Sequence, residues 1–62
     1  MKITYDKDAD AIYLEFQDGD FKKNKKIDND TIIDLDEKGN ILGIEILNVS
    51  KKMPKNFVPH IQ

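Results

Sequence analysis

A chain of 62 residues forms one domain at most, and a domain of that size buries only about 60% of its unfolded surface. With no cysteine, disulfides and thiolate metal sites are excluded as staples, which leaves oligomerisation to support so small a core. Charged residues make up 35% of the chain, the formal net charge is −2 and every basic residue is lysine. That balance argues against broad nucleic-acid binding, and the lack of arginine against bidentate readout of bases or phosphates. No apolar run approaches the roughly 18 residues of a membrane span and no signal-peptide pattern opens the chain, so a cytoplasmic protein without a membrane partner is expected.

Strand signals dominate in chain order. Residues 2–5 (KITY) read as a short strand with Ile3 and Tyr5 on one face. Residues 11–17 (AIYLEFQ) alternate, Ile12, Leu14 and Phe16 one way and Tyr13 and Glu15 the other. Between them, Asp6, Asp8 and Asp10 occupy turn positions where aspartate accepts bonds from nearby backbone N–H groups. Asp18-Gly19 is a turn signal that predicts a positive φ at Gly19. The lysine run KKNKK follows at 22–26, with a weak strand expected over residues 25–27 and a turn at 28–30. Residues 31–36 (TIIDLD) form a strand with Ile33 and Leu35 on the core side and Ile32, Asp34 and Asp36 opposite. The segment EKGN (37–40) predicts a type I turn with Gly39 in the left-handed region, closing a hairpin with a bulge. The returning strand, 41–48, directs Leu42, Ile44 and Ile46 inward and Ile41, Gly43, Glu45 and Leu47 outward. Gly43 marks a close neighbour or a bulge. Ser50 is the expected cap of a short helix or turn, and Pro54 and Pro59 punctuate the tail.

The fold expected is mainly β (α+β): a small antiparallel sheet of four to five strands, meander-like, with a short C-terminal helix or turn. Residues 1–62 read as a single small domain, 1–50 as sheet and 51–62 as a helical or irregular tail. The outward face is not fully polar. Tyr13, Ile32, Ile41 and Leu47 recur there, and a sheet apolar on both faces needs two covers. The tail supplies one and a second chain the other, so these four residues form the expected interaction face of a homo-oligomer, most simply a dimer.

Three groups were candidates for chemistry. Asp6, Asp8 and Asp10 share the spacing of the first ligands of an EF-hand loop, but Ala11 and Gln17 stand where that loop needs glycine and a bidentate acid. Asp34, Asp36 and Glu45 share the outward face, where paired carboxylates serve as acid and base or hold a metal. Either group would belong to a metal-dependent hydrolase or nuclease; an outward polar face and a solvated turn are the plainer readings. His60, the only histidine, has no cysteine partner and one serine in the chain, Ser50, a poor basis for a triad. The lysine run, with Phe21 before it, suits a solvated edge better than a nucleic-acid surface, because aspartates flank it on both sides. No cofactor and no catalytic residue is expected.

The opening Tyr-Asp-x-x-Ala-Asp-Ala-Ile-Tyr at 5–13 and the Asp-x-Asp-x-x-Gly-x-Ile-x-Gly-Ile-Glu-Ile stretch at 34–46 resemble a small prokaryotic family, domain of unknown function 2283. The resemblance covers about residues 1–50. It implies a compact, mostly β domain with a short helical C-terminal piece and brings no catalytic residues with it. It implies no established activity. Genes of this family resemble small partners of neighbouring genes, toxin–antitoxin pairs among them. The non-enzymatic interaction module read from the two-sided apolar sheet is therefore expected to self-associate and to serve as the antitoxin-like partner of a neighbouring gene product, binding a cognate protein.

Overall fold

The computed structural model describes residues 1–52; the expectations for Pro54, Pro59, His60 and the covering role of the tail beyond residue 52 lie outside the described residues. Five strands and one turn of helix follow one another: β1 (Lys2–Asp6), β2 (Ala11–Glu15), β3 (Lys23–Asp28), β4 (Thr31–Leu35), β5 (Ile41–Leu47) and α1 (Val49–Lys52). Each strand lies within two or three residues of its predicted position, because strict apolar alternation leaves little freedom over which residues face the core.

The order across the sheet is β1-β2-β5-β4-β3, with every neighbouring pair antiparallel. This departs from the expected chain-order meander at one connection. After β2 the chain does not turn back; residues 16–22 cross the end of the sheet, and β3 becomes the far edge. Along this crossing the Phe16 N–H donates to the Leu42 carbonyl at 2.8 Å and the Gln17 Nε2 to the Ile41 carbonyl at 2.9 Å. The Lys22 N–H then reaches the Leu35 carbonyl at 2.9 Å. The physical reason lies in composition. β5 (ILGIEIL) is apolar on both faces and suits the centre, where both edges are paired. β3 (KNKKID), exposed at every residue, suits an edge, where lysine discourages pairing with other sheets.

Register defines the two faces, since residues opposite one another in an antiparallel pair share a side. One row joins Tyr5, Ile12, Ile46 and Thr31; the next joins Ile3, Leu14, Ile44, Ile33 and Lys25. This is the predicted core face. The opposite face carries the row Thr4, Tyr13, Glu45, Ile32 and Lys26, and beside it Glu15, Gly43, Asp34 and Asn24.

Beyond Asp34 the register shifts, so that Leu35 pairs with Ile41 and Leu42 becomes the extra residue of a bulge. The shift corrects two assignments. Ile41 moves to the core face beside Leu35. Leu42 turns to the other side, where it lines a hollow with Tyr13, Glu15 and Asp34, and it is buried. The EKGN turn behaves as predicted: Gly39 has φ of 86° and donates to the Asp36 carbonyl at 3.1 Å. Gly19, by contrast, has no positive φ. A Cβ there would come within 2.6 Å of the Leu42 Cδ2, the far end of a flexible side chain.

Candidate interaction surface

Two of the three opening aspartates, Asp6 and Asp10, have separate structural tasks. Asp6 Oδ1 accepts the N–H groups of Asp8 and Ala9 at 3.0 and 3.1 Å, an Asx-turn that closes the first hairpin. Asp10 sits at φ of 54°, a left-handed conformation that aspartate tolerates better than most side chains, and its carboxylate points away from Asp6 toward α1. There it accepts the Ser50 N–H at 3.0 Å and the Ser50 hydroxyl at 2.7 Å, while its own carbonyl accepts the Val49 N–H at 3.0 Å. The short helix is therefore capped from another hairpin by a residue 40 positions earlier. Ser50 is a donor to that cap and lies inside α1, not at its start.

Asp30 holds the other side of the same corner. Its carbonyl accepts the Leu47 N–H at 2.7 Å, and its carboxylate accepts the Asn48 Nδ2 at 2.7 Å. Lys52 adds an ion pair to it at 3.4 Å, with its side chain half in solvent, so that pair contributes little. The turns of both flanking hairpins thus converge on residues 47–52, where Val49 is buried.

The second acidic group also separates. Asp36 lies beyond β4 and organises the EKGN turn, accepting the N–H groups of Lys38 and Asn40 and the Asn40 Nδ2 at 2.8 to 3.0 Å. The Asn40 amide, followed by the backbone donors, holds its carboxyl below the ordinary aspartate value. Asp28 is lowered in the same manner, chiefly by the Asp30 N–H. Asp34 and Glu45 do share a face, but Asp34 lies opposite Gly43 and Glu45 opposite Ile32. That places them on a diagonal, about 7–8 Å apart at the backbone. Among the described residues no group of three or more His, Cys, Asp or Glu side chains comes together as a metal site.

Tyr13 occupies the centre of this face. Its ring lies over Gly43, where an added Cβ would meet the phenol oxygen, the Cζ at 2.6 Å and the Leu14 carbonyl at 2.7 Å. Burial first, then Asp34, Glu15 and Glu45, pushes its pKa up. Of the four residues expected to form an interaction face, Tyr13 and Ile32 share one row and Leu47 lies on the same side, opposite Ala11. Ile41 does not join them, for the bulge turns it to the core face. Glu15, Asp34 and Glu45 intersperse the remaining three.

The core face is the more continuous apolar surface. Across four strands it presents Ile3, Tyr5, Ile12, Leu14, Ile33, Leu35, Ile41, Ile44 and Ile46, and of these Ile12 alone is buried. Ile41 is 40% exposed. No acidic side chain lies within these rows except Asp28 at the hairpin tip, and Lys23 and Lys25 border them along β3. Patterning alone gave no sign that the core face would remain half-open, because alternation tells which side is apolar and not how much covers it.

The fold and these surfaces define a small antiparallel β-sheet protein in which Asp6, Asp10, Asp28, Asp30 and Asp36 are engaged in turns and caps, and whose larger apolar face is incompletely covered by the described residues. The chain belongs to the family described as protein of unknown function (DUF2283), whose sequence profile matches residues 2–50. It is 43% identical over 51 residues to an uncharacterized protein of Methanocaldococcus jannaschii, an alignment covering 82% of this chain and 43% of that relative. The chain therefore spans less than half the length of the curated relative it matches. No solved structure matches it. Among the described residues, no helix is long and apolar enough to cross a membrane.

Proposed function

We propose that this protein is a non-enzymatic interaction module that associates with a second copy of itself through the apolar face of its sheet. The observation that supports this reading is the partial exposure of that face among the described residues: seven of its nine apolar side chains are partly exposed and Ile41 is 40% exposed. Contiguous exposed apolar side chains, unlike singly scattered ones, mark association surfaces. The core face suits the role better than the face of Tyr13, Ile32 and Leu47. A two-fold pairing on the latter would set Glu15, Asp34 and Glu45 against their own copies, and like charges in a desolvated interface are costly. A cognate protein, as in the antitoxin-like role implied by the family resemblance, would use the same apolar face. A metal-dependent hydrolase finds no support in the geometry of Asp6, Asp8, Asp10, Asp34, Asp36 and Glu45, whose carboxylates do not converge.

Light scattering on the eluting protein tests the proposal. The expected mass at micromolar concentration is a multiple of 7.2 kDa. Ile3→Glu, on an edge strand at a half-exposed position, is expected to return the protein to single-chain mass with its circular dichroism unchanged. A folded species of single-chain mass at all concentrations would overturn it.

A further inference from the structure

The free edge of β3 is the most exposed element of the fold and its most basic one. All six of its residues are exposed. Among the described residues it pairs with β4 on one side only, so alternate N–H and C=O groups along its other side have no strand partner there. Lys23, Lys25 and Lys26 stand on the strand and Lys22 immediately precedes it. Their neighbours on β4 are apolar: Lys23 lies opposite Leu35, Lys25 opposite Ile33 and Lys26 opposite Ile32. Among the described residues the single ion pair is that of Lys52 with Asp30, so none of these four ammonium groups is paired there. Exposed apolar side chains bracket the run: Phe21, 59% exposed, precedes it, and Ile27, 54% exposed, is the residue displaced by the bulge between Lys26 and Asp28.

We propose that the free edge of β3 captures an acidic, extended polypeptide segment by strand addition. A strand laid along this edge completes the unpaired backbone groups, which supply affinity, while its side chains select by charge. Its alternate residues fall beside Lys23 and Lys25 on one face and beside Asn24 and Lys26 on the other. Acidic residues in the incoming strand meet lysines on both faces, and Phe21 and Ile27 provide apolar contacts at the two ends. The alternation also distinguishes this occupant from a nucleic acid. A phosphate backbone needs its cations gathered on one surface, whereas these lysines are divided between the two faces of the sheet, and Asp18, Asp20, Asp28 and Asp30 flank them. The same lysines repel an identical edge, so the surface discourages self-pairing and favours a strand of opposite charge. This edge borders the apolar face at Lys23 and Lys25 but binds through the free backbone groups of β3, so either proposal can fail without the other.

Fluorescence anisotropy with the full chain and a labelled peptide alternating glutamate with valine and threonine tests the inference. Binding is expected, weakening with added salt. Lys23→Glu with Lys25→Glu, both at exposed positions, is expected to lower the affinity about tenfold or more while circular dichroism stays unchanged. Two further peptides carry backbone N-methyl groups on one or the other alternate set of residues. One of the two is expected to lose binding, because only one set faces the β3 edge. Amide exchange along β3 should slow when the unmodified peptide is bound. Equal binding by both methylated peptides would show a purely ionic contact and overturn the proposal. So would absence of binding at low salt, or tighter binding of oligothymidylate than of the acidic peptide.

Discussion

Replacing Gly43 by alanine tests the packing of the sheet at its most crowded point. The added methyl meets the Tyr13 ring at 2.6 Å from Cζ and the Leu14 carbonyl at 2.7 Å. The second contact is the more severe. Leu14 belongs to β2, which is held by β1 on one side and β5 on the other, so its carbonyl cannot retreat without disturbing two ladders. Overpacking of this kind costs about 1–3 kcal/mol. The loss of glycine's freedom in the unfolded chain returns about 0.4–1 kcal/mol. A net loss of about 1–2 kcal/mol lowers the melting temperature of a domain this small by roughly 5–15 °C. Urea unfolding followed by circular dichroism measures it. Gly19→Ala is the control, because its contact is the mobile end of the Leu42 side chain and its φ is not positive. That variant should stay within about 0.5 kcal/mol of the parent. Tyr13→Ala combined with Gly43→Ala should recover part of the loss, since only the ring contact is relieved. Equal stability of the Gly43→Ala and Gly19→Ala variants would refute the reasoning.

Other predictions follow from the turns and the cap. Asp10→Ala removes both bonds to Ser50 and places alanine at positive φ, so a loss of about 2 kcal/mol is expected, whereas Asp10→Asn retains the conformation and part of the cap and should lose less. Asp36 and Asp28 have folded pKa values below their unfolded ones, so their contribution is present above about pH 4 and is lost as the pH falls through the lowered values; melting curves in acid should show it, with a shallower decline in Asp36→Asn. Tyr13 has the opposite sign: the neutral phenol's contribution holds below about pH 10 and is lost as the pH rises through the raised value, and Tyr13→Phe should flatten that alkaline decline in urea midpoints.

The strands could be read from the chain because period-two alternation is a local property, and each of KITY, AIYLEFQ, TIIDLD and ILGIEILN shows it. The EKGN turn was legible for the same reason, since Asp36, Gly39 and Asn40 determine it among themselves. The order of the strands was not. Nothing within residues 16–22 announces that they cross the sheet; the clue was in comparing β3 with β5, a lysine-rich strand against one apolar on both faces. The exchange of Ile41 and Leu42 between faces came from the bulge beside Asp34, because counting by parity fails wherever one strand carries an extra residue. The cap from Asp10 to Ser50 spans 40 residues and has no local signature. Its one trace was an aspartate just ahead of a strand, a position equally suited to a turn. Three of the six carboxylates in suggestive spacing, Asp6, Asp10 and Asp36, are engaged with backbone donors, which sequence spacing alone cannot distinguish from a ligand set.

The central strand of the sheet is also the last to be made. The first and second hairpins are each local in the chain, yet no strand of one pairs with a strand of the other, and the sheet ladder between them is completed by residues 41–47, which pair with both. A growing chain that has emerged only as far as Asn40 holds two ribbons with no shared ladder, and each is too small to persist in water by itself. Assembly must therefore wait for nearly all of the described polypeptide to leave the ribosome, and then proceeds by insertion of one segment between two waiting partners. Truncation before Ile41 should accordingly abolish the sheet altogether instead of trimming it.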